Sequence, residues 1–460
     1  MTPEEFRKYA NQAVDWAASY FENPAQYPVL PRVKPGELTD ALPAKGPEHG
    51  ESMEAILADF ESLVVPATTH WNHPGFMAYF AISASPEGVI GDLLAATLNV
   101  NGMLWKSSPS VVELEQVVLK WLRAWTGLPE DWFGCIYDTA SVSTMHALAA
   151  AREAADPTCR TKGAAPGLIV YTSEQAHSSV EKGAMALGIG QDNVRKIGVD
   201  DEFRMRADAL ERAIEADLAA GLRPCCVTAT VGTTSTTSVD PVPEIAAICR
   251  RHNIWLHVDA AYAGSAAVAD EFRWTMAGCE HADSMTTNPH KWLLTPVDCS
   301  VFYTRHPDVL KRAFSLVPEY LQTAGDPRAL NLMDYGVPLG RRFRALKLWF
   351  VMRSYGRQGL AAVIREHVRL AQEFAKWVDA DARFERTAPS PFSVVCFRFK
   401  GTEEQNKAVQ ERVNASGEIF ISGTVLKGQF SLRLAIGNRA TTDATVRRAW
   451  ELICAAAEGV

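Results

Sequence analysis

Apolar residues recur every three or four positions along the first twenty residues. Phe6, Ala10, Ala13, Val14 and Ala17 share one side of a helical projection, which predicts an amphipathic helix over 2–21. A proline-rich stretch, 24–47, follows. Its composition suits an arm laid on a partner subunit and a surface connector equally well. A second helix fits 51–65. From about residue 86 the period changes. Short β-rich runs, GLIVYTS (167–173), PCCVTATVG (224–232), IWLHVDAAY (254–262) and CSVFYTR (299–305), alternate with helical runs over 142–155, 206–220 and 241–252. Strands separated by helices predict an α/β fold, a mostly parallel central sheet covered by helices. Ligands of such sheets sit at the carboxyl ends of the strands. Beyond about 360 the pattern reads helix 358–380, strand 394–400, helix 403–416, strand 430–436 and helix 441–457, a small C-terminal α+β domain. The expected division is an N-terminal helical segment (1–85), a large domain (86–360) and a small domain (361–460).

Composition narrows the function. The chain of 460 residues is 47% hydrophobic and 22% charged, which suits a packed globular protein. A net charge of −8 without a basic stripe argues against nucleic acid or an anionic membrane as partner. No run is apolar for long enough to span a bilayer. The charged opening MTPEEFRKYANQAVDW is unlike a secretion signal, so a cytoplasmic location is expected. The nine cysteines are odd in number and form no CxxC pair, which reads as reduced thiols in the core. HExxH is absent and the 11 histidines form no cluster, so no metal site is expected.

Two short runs carry the chemistry. In TTNPHKWLLTP, Lys291 precedes an apolar Trp292-Leu293-Leu294, where an amine must be paired, neutral or covalently used. In IWLHVDAAYAG, Asp259 ends a strand among small and apolar neighbours, where a carboxylate needs a cation or donors. Taken singly, the lysine reads as a surface residue and the aspartate as a cap or buried salt bridge. Together they suit pyridoxal phosphate. Its aldehyde takes a lysine amine, its ring nitrogen takes an anion, and its phosphate takes a helix N-terminus. TASVSTMHALAAA (139–151) offers such a terminus, with Thr139, Ala140 and Ser141 as the cradle.

These runs, with YTSEQAHSSVEKGA, ATVGTTSTTSVDP and PLGRRFRALKLWF, resemble the group II pyridoxal-phosphate decarboxylases of the aromatic L-amino acid decarboxylase type. The resemblance extends from HWNHPGFMAYF (70–80) to RAWELI (448–453). It implies the fold type I of pyridoxal-phosphate-dependent transferases, a homodimer with its active site at the subunit interface, and the cofactor pyridoxal 5′-phosphate. It further implies that Lys291 is the Schiff-base lysine and Asp259 the partner of the pyridine nitrogen. His177 corresponds to the histidine stacked on the ring, Thr234 to a threonine beside it, Asn288 and His290 to supporting ligands, and Ala140 and Ser141 to the phosphate loop. Tyr320, in a polar, lid-like stretch over 318–338, corresponds to the tyrosine that returns a proton. Relatives that oxidise their substrate to an aldehyde replace that tyrosine with phenylalanine or the histidine with asparagine, and this chain keeps both residues. Trp71, Tyr79, Phe80, Ile82 and Gly340 correspond to residues lining the substrate pocket, with Asn101 and Met103 contributed by the partner subunit. Glycine at 340 goes with bulky aromatic side chains. The implied reaction is decarboxylation of tryptophan, tyrosine, phenylalanine or dopa to the amine, with an aldehyde synthase or a non-catalytic relative as alternatives. Two departures stand out. Asp138 precedes the cradle where the family often has glycine, and Ile82 stands where animal relatives have threonine.

Overall fold

The computed structural model describes residues 1–316 and 329–460. Twelve strands run through the described residues. β1 to β6 are Phe76–Met77, Phe133–Tyr137, Leu168–Ser173, Val194–Ile197, Arg223–Thr230 and Trp255–Asp259. β7 to β12 are Ser284–Thr287, Ser300–Thr304, Phe384–Arg386, Val394–Phe399, Phe420–Leu426 and Gln429–Ala435. The chain forms two compact units. One joins residues 1–81, 373–387 and 397–460; the other holds 82–372 and 388–396.

In the larger unit seven strands lie in the order β2-β8-β7-β6-β5-β3-β4. β4, β3, β5, β6 and β7 pair in parallel. β8 is antiparallel to both β7 and β2. Two reversals restore direction, so β2 points the same way as β7. The carboxyl ends of β2, β3, β5, β6 and β7 therefore share one edge of the sheet. Strand interiors are near-continuous buried runs, as expected of a sheet covered on both faces.

β7 has no counterpart in the apolar pattern because it reads SMTT. It is nonetheless buried at every position. Its hydroxyls are satisfied locally: Thr286 Oγ1 donates to Val301 O at 2.9 Å, and Ser284 Oγ accepts from the Trp255 indole at 2.9 Å. The helix expected over 358–380 belongs to a longer run, Arg344–Ala380, broken at Gly356, whose φ of 61° and ψ of 173° lie outside helical space.

The helix Pro86–Leu98 begins at Ser85, whose hydroxyl accepts from Gly88 N–H, and ends at Asn99 in the left-handed region. Its inner side is glycine by necessity: a Cβ on Gly91 would lie 2.6 Å from Lys347 Cα. Its outer side leaves Val89, Ile90, Leu93, Leu94 and Leu98 exposed.

In the smaller unit β11 pairs antiparallel with β12 and parallel with β1. The helix Pro3–Glu22 starts with a capping box between Thr2 and Glu5 and buries none of its residues. The start of the proline-rich stretch is docked on its own chain: Val29 is fully buried, and its N–H donates to Gly417 O at 2.8 Å. Most residues from Arg32 to Glu51 are exposed. No described helix is long and apolar enough to cross a membrane.

Candidate active site

Five segments converge on the carboxyl edge of the seven-stranded sheet. Asp138–Ser141 follow β2, His177 follows β3, Thr234 follows β5, Asp259 ends β6, and Asn288–Lys291 follow β7. Residues as far apart in sequence as Asp138 and Lys291 thus share one edge because the strands that carry them end together.

Asp259 is 5% exposed and lies in register between Thr230 of β5 and Thr286 of β7. Its Oδ1 accepts from Ala261 N–H at 3.1 Å. His257, two residues earlier, shares its face of the strand. His257 Nδ1 lies 2.9 Å from Ser284 Oγ, and Nε2 has no protein partner. Burial pushes this imidazole down to about 4, so it is neutral near pH 7. Alternation in WLHVD marks His257 as a companion of Asp259, a signal that motif matching passed over.

Lys291 sits on a one-turn helix, Pro289–Trp292, whose N–H donates to Asn288 O at 2.9 Å. Trp292 anchors that turn. It stacks on Tyr262 with centroids 4.4 Å apart, and its indole N–H donates to His367 Nδ1 at 3.0 Å. An indole buried this fully contributes about 3–5 kcal/mol to holding its segment. His290 is fixed from the other side: its Nδ1 accepts from Cys299 N–H at 2.9 Å, which leaves the proton of the neutral ring on Nε2. Burial first, and the charge of Lys291 second, push His290 down to about 4.

His177 is where these charges meet. Partial loss of hydration is the largest influence and lowers its proton affinity; Asp259 raises it, and Lys291 and Lys182 lower it. Asp259 and Lys291, 32 residues apart, are therefore both within electrostatic reach of one imidazole. Its Nδ1 accepts from Ser179 N–H at 3.1 Å. Thr234 is exposed in a turn opened by Gly232, whose φ of 89° and 2.7 Å approach to Ala263 exclude a side chain.

The helix Ala140–Ala155 begins at Thr139, which is extended and makes no side-chain cap bond. The first-turn N–H groups of Ala140 and Ser141 have no acceptor inside the helix, and about half a positive charge gathers at such an end. Asp138 Oδ1 accepts from Thr139 N–H at 2.6 Å, so its carboxylate is held at the first residue of the cradle.

A separate wall joins Asn101, Met103 and Gly340. Asn101 Nδ2 lies 3.7 Å from Met103 Sδ, and the backbone N–H of Arg341 donates to Asn101 Oδ1 at 2.9 Å. Ile82 is half-buried at the start of the larger unit. Trp71, Tyr79 and Phe80 belong to the smaller unit. There Trp71 stacks on Phe76 at 4.2 Å and on Tyr79 at 5.9 Å, and the Arg433 guanidinium lies 4.8 Å over Phe80. Tyr320 lies outside the described residues. Among the described residues no group of three His, Cys, Asp or Glu is arranged to hold a metal ion.

A mostly parallel sheet with a lysine, an aspartate and an open helix N-terminus at one edge defines a class: α/β proteins built to seat an anionic aromatic cofactor. Comparison with known proteins makes that specific. The pyridoxal-dependent decarboxylase conserved domain matches residues 35–400, and the chain belongs to that family. It is 42% identical to aromatic-L-amino-acid decarboxylase of Sus scrofa, over 98% of this chain and 96% of that one. It is 39% identical to phenylacetaldehyde synthase of Arabidopsis thaliana, over 98% and 96%. A crystal structure of Oryza sativa TDC with PLP and tryptamine superposes with a TM-score of 0.97 at 38% identity, covering 100% of this chain and 99% of that one. The enzyme is thus a lyase of the decarboxylase type, and its cofactor is pyridoxal 5′-phosphate. The residues present fit that group. Asn288 Oδ1 is buried without a protein partner, the Thr139 hydroxyl is uncommitted to capping, and one buried carboxylate shares the sheet edge with one lysine.

Proposed function

We propose that this enzyme removes the α-carboxyl group of aromatic L-amino acids as CO2 and releases the amine. The observation that carries the reading is the placement of Asp259 at the end of β6, in register with β7, with Lys291 on the turn that follows β7, in a chain related over 98% of its length to an aromatic-L-amino-acid decarboxylase. Bound pyridoxal phosphate supplies an electron sink for a bond broken at the substrate Cα. The chain does the rest. Lys291 holds the cofactor covalently through its amine. Asp259 keeps a proton on the ring nitrogen by its negative charge. Thr139, Ala140 and Ser141 offer donors to the phosphate, with Asn288 and His290 in support. His177 and Thr234 border the ring, and Tyr320 delivers one proton to Cα.

Product choice is the point of contrast with phenylacetaldehyde synthase. An aldehyde synthase consumes O2 and water and yields aldehyde, CO2, ammonia and peroxide; a simple decarboxylase yields amine and CO2 alone. Retention of Tyr320 and His177 favours the amine. A panel of tryptophan, tyrosine, phenylalanine, dopa, histidine and glutamate, scored for amine, aldehyde and peroxide, tests both points. Amine from the aromatic acids is expected, with little from histidine or glutamate. Tyr320→Phe is expected to divert most product to aldehyde with matching peroxide. An unchanged amine yield without peroxide from that variant sinks the role given to Tyr320.

A homodimer belongs to the same proposal. The exposed Val89, Ile90, Leu93, Leu94 and Leu98 form an apolar helix face of the kind a second copy covers. Holoenzyme sedimenting at the mass of one chain, 50.4 kDa, would overturn it.

A further inference from the structure

The helix Ala140–Ala155 is tied to the rest of the sheet edge by buried hydroxyls. Ser143, in its first turn, places Oγ 2.8 Å from Ser300 Oγ, which stands 3.4 Å from Thr286 Oγ1. Thr286 is the β7 residue in register with Asp259. Three buried side chains thus lead from the start of this helix to the strand neighbour of the site carboxylate. The helix runs for 16 residues, and its opening N–H groups carry about half a positive charge. An anion is favoured there.

This chain already keeps an anion at that end. Asp138 lies between β2 and the helix. Its Oδ1 accepts Thr139 N–H at 2.6 Å, and the Thr139 hydroxyl stands 3.4 Å from the same oxygen. Both donors of Thr139 therefore turn toward one carboxylate. Asp138 is half-buried. Its charge reaches His146, but burial holds that imidazole down to about 4, so it brings no compensating cation near pH 7. A phosphate drawing on the same N–H groups meets this negative charge at close range.

We propose, resting on the phosphate seat given above to Thr139, Ala140 and Ser141, that Asp138 competes with the cofactor phosphate for the Thr139 donors and weakens the binding of pyridoxal phosphate. Lys291 and Asp259 act on other parts of the cofactor, so the competition is confined to the phosphate. Repulsion between a partly exposed carboxylate and a phosphate beside it amounts to about 3- to 30-fold in a dissociation constant. The same carboxylate faces the positive pole of the helix and steadies it. Asp138 thus supports the fold while it loosens the cofactor, and occupancy of the enzyme follows the coenzyme concentration around it.

The test uses the full chain and Asp138→Asn, which keeps an oxygen for Thr139 N–H and loses the charge. Holoenzyme dialysed against graded pyridoxal phosphate, followed by its lysine-bound absorption, gives one dissociation constant. Pyridoxal, which has the ring and aldehyde but no phosphate, gives a second. Asp138→Asn is expected to tighten pyridoxal phosphate by about 3- to 30-fold and to leave pyridoxal within about twofold. The cofactor-free variant is expected to melt about 1–3 °C lower than the wild type. A residue that only shapes the turn would lower the melting temperature and leave pyridoxal phosphate unchanged or weaker, which overturns the proposal. An equal gain for pyridoxal overturns it as well. A wild type that binds pyridoxal as tightly as pyridoxal phosphate removes the phosphate seat and the proposal together. Tightening confined to pyridoxal phosphate, in a protein releasing amine from none of the aromatic acids, upholds the proposal and sinks the decarboxylase reading instead.

Discussion

Lys291→Ala is expected to abolish amine release from every aromatic substrate, by about 10³-fold or more. The loss follows from what the amine does. The turn that bears it is held by Trp292 against Tyr262 and His367, by His290 against Cys299 N–H, and by Asn288 N–H on Ala261 O at 3.1 Å. None of these contacts uses the lysine side chain, so they remain when it is removed. The visible absorption of lysine-bound pyridoxal, and its disappearance on borohydride treatment, read the same residue without turnover. A variant that keeps both the band and a rate within tenfold of wild type ends the assignment of Lys291.

Asp259→Asn is expected to lower kcat/KM by about 10²–10³-fold, because removing a charge aimed at a charged centre of the reaction costs on that order. Asparagine is nearly isosteric and keeps an oxygen for Ala261 N–H, so position is preserved while charge is lost. A second readout is independent of catalysis. Asp259 raises the proton affinity of His177, so its neutralisation shifts the His177 titration to lower pH, further below the ordinary histidine value. Nuclear magnetic resonance of the imidazole measures this. A rate within about threefold of wild type, with the His177 titration unmoved, would show that this carboxylate acts on neither group.

Much of the larger sheet was legible because its strands are apolar enough to stand out between helices. β3, β5, β6 and β8 fall within a residue or two of the expected runs, apart from the carboxyl end of β6. IWLHVDAAY stops being a strand at Asp259, where the chain leaves the sheet to make the site. β7 escaped because four buried residues, three of them hydroxylic, carry no apolar period. That strand is nonetheless what brings Asn288 and Lys291 to the sheet edge where Asp259 ends β6. Individual residues of the site were legible through motifs; what joins them was not. Glu115, Ile136 and Arg341 meet across 226 positions of sequence. A buried glutamate inside PSVVELEQVVLKWLRAWT has no pattern that sets it apart from a surface one. The direction of the Asn101 amide likewise depends on a backbone N–H 240 positions away.

The path of the chain through its two units sets the order in which they can be completed on a ribosome. Every residue of the seven-stranded sheet has been made by Thr304, whereas β1 must wait for β11. At ~5–20 residues per second that wait lasts about 20–70 s. Throughout it, residues 1–81 have only part of their core, and Phe76 and Met77, fully buried in the finished protein, lack the strand that covers them. The nascent amino-terminal segment is therefore the portion of this polypeptide with most need of a chaperone, and the last sixty residues are the ones that release it.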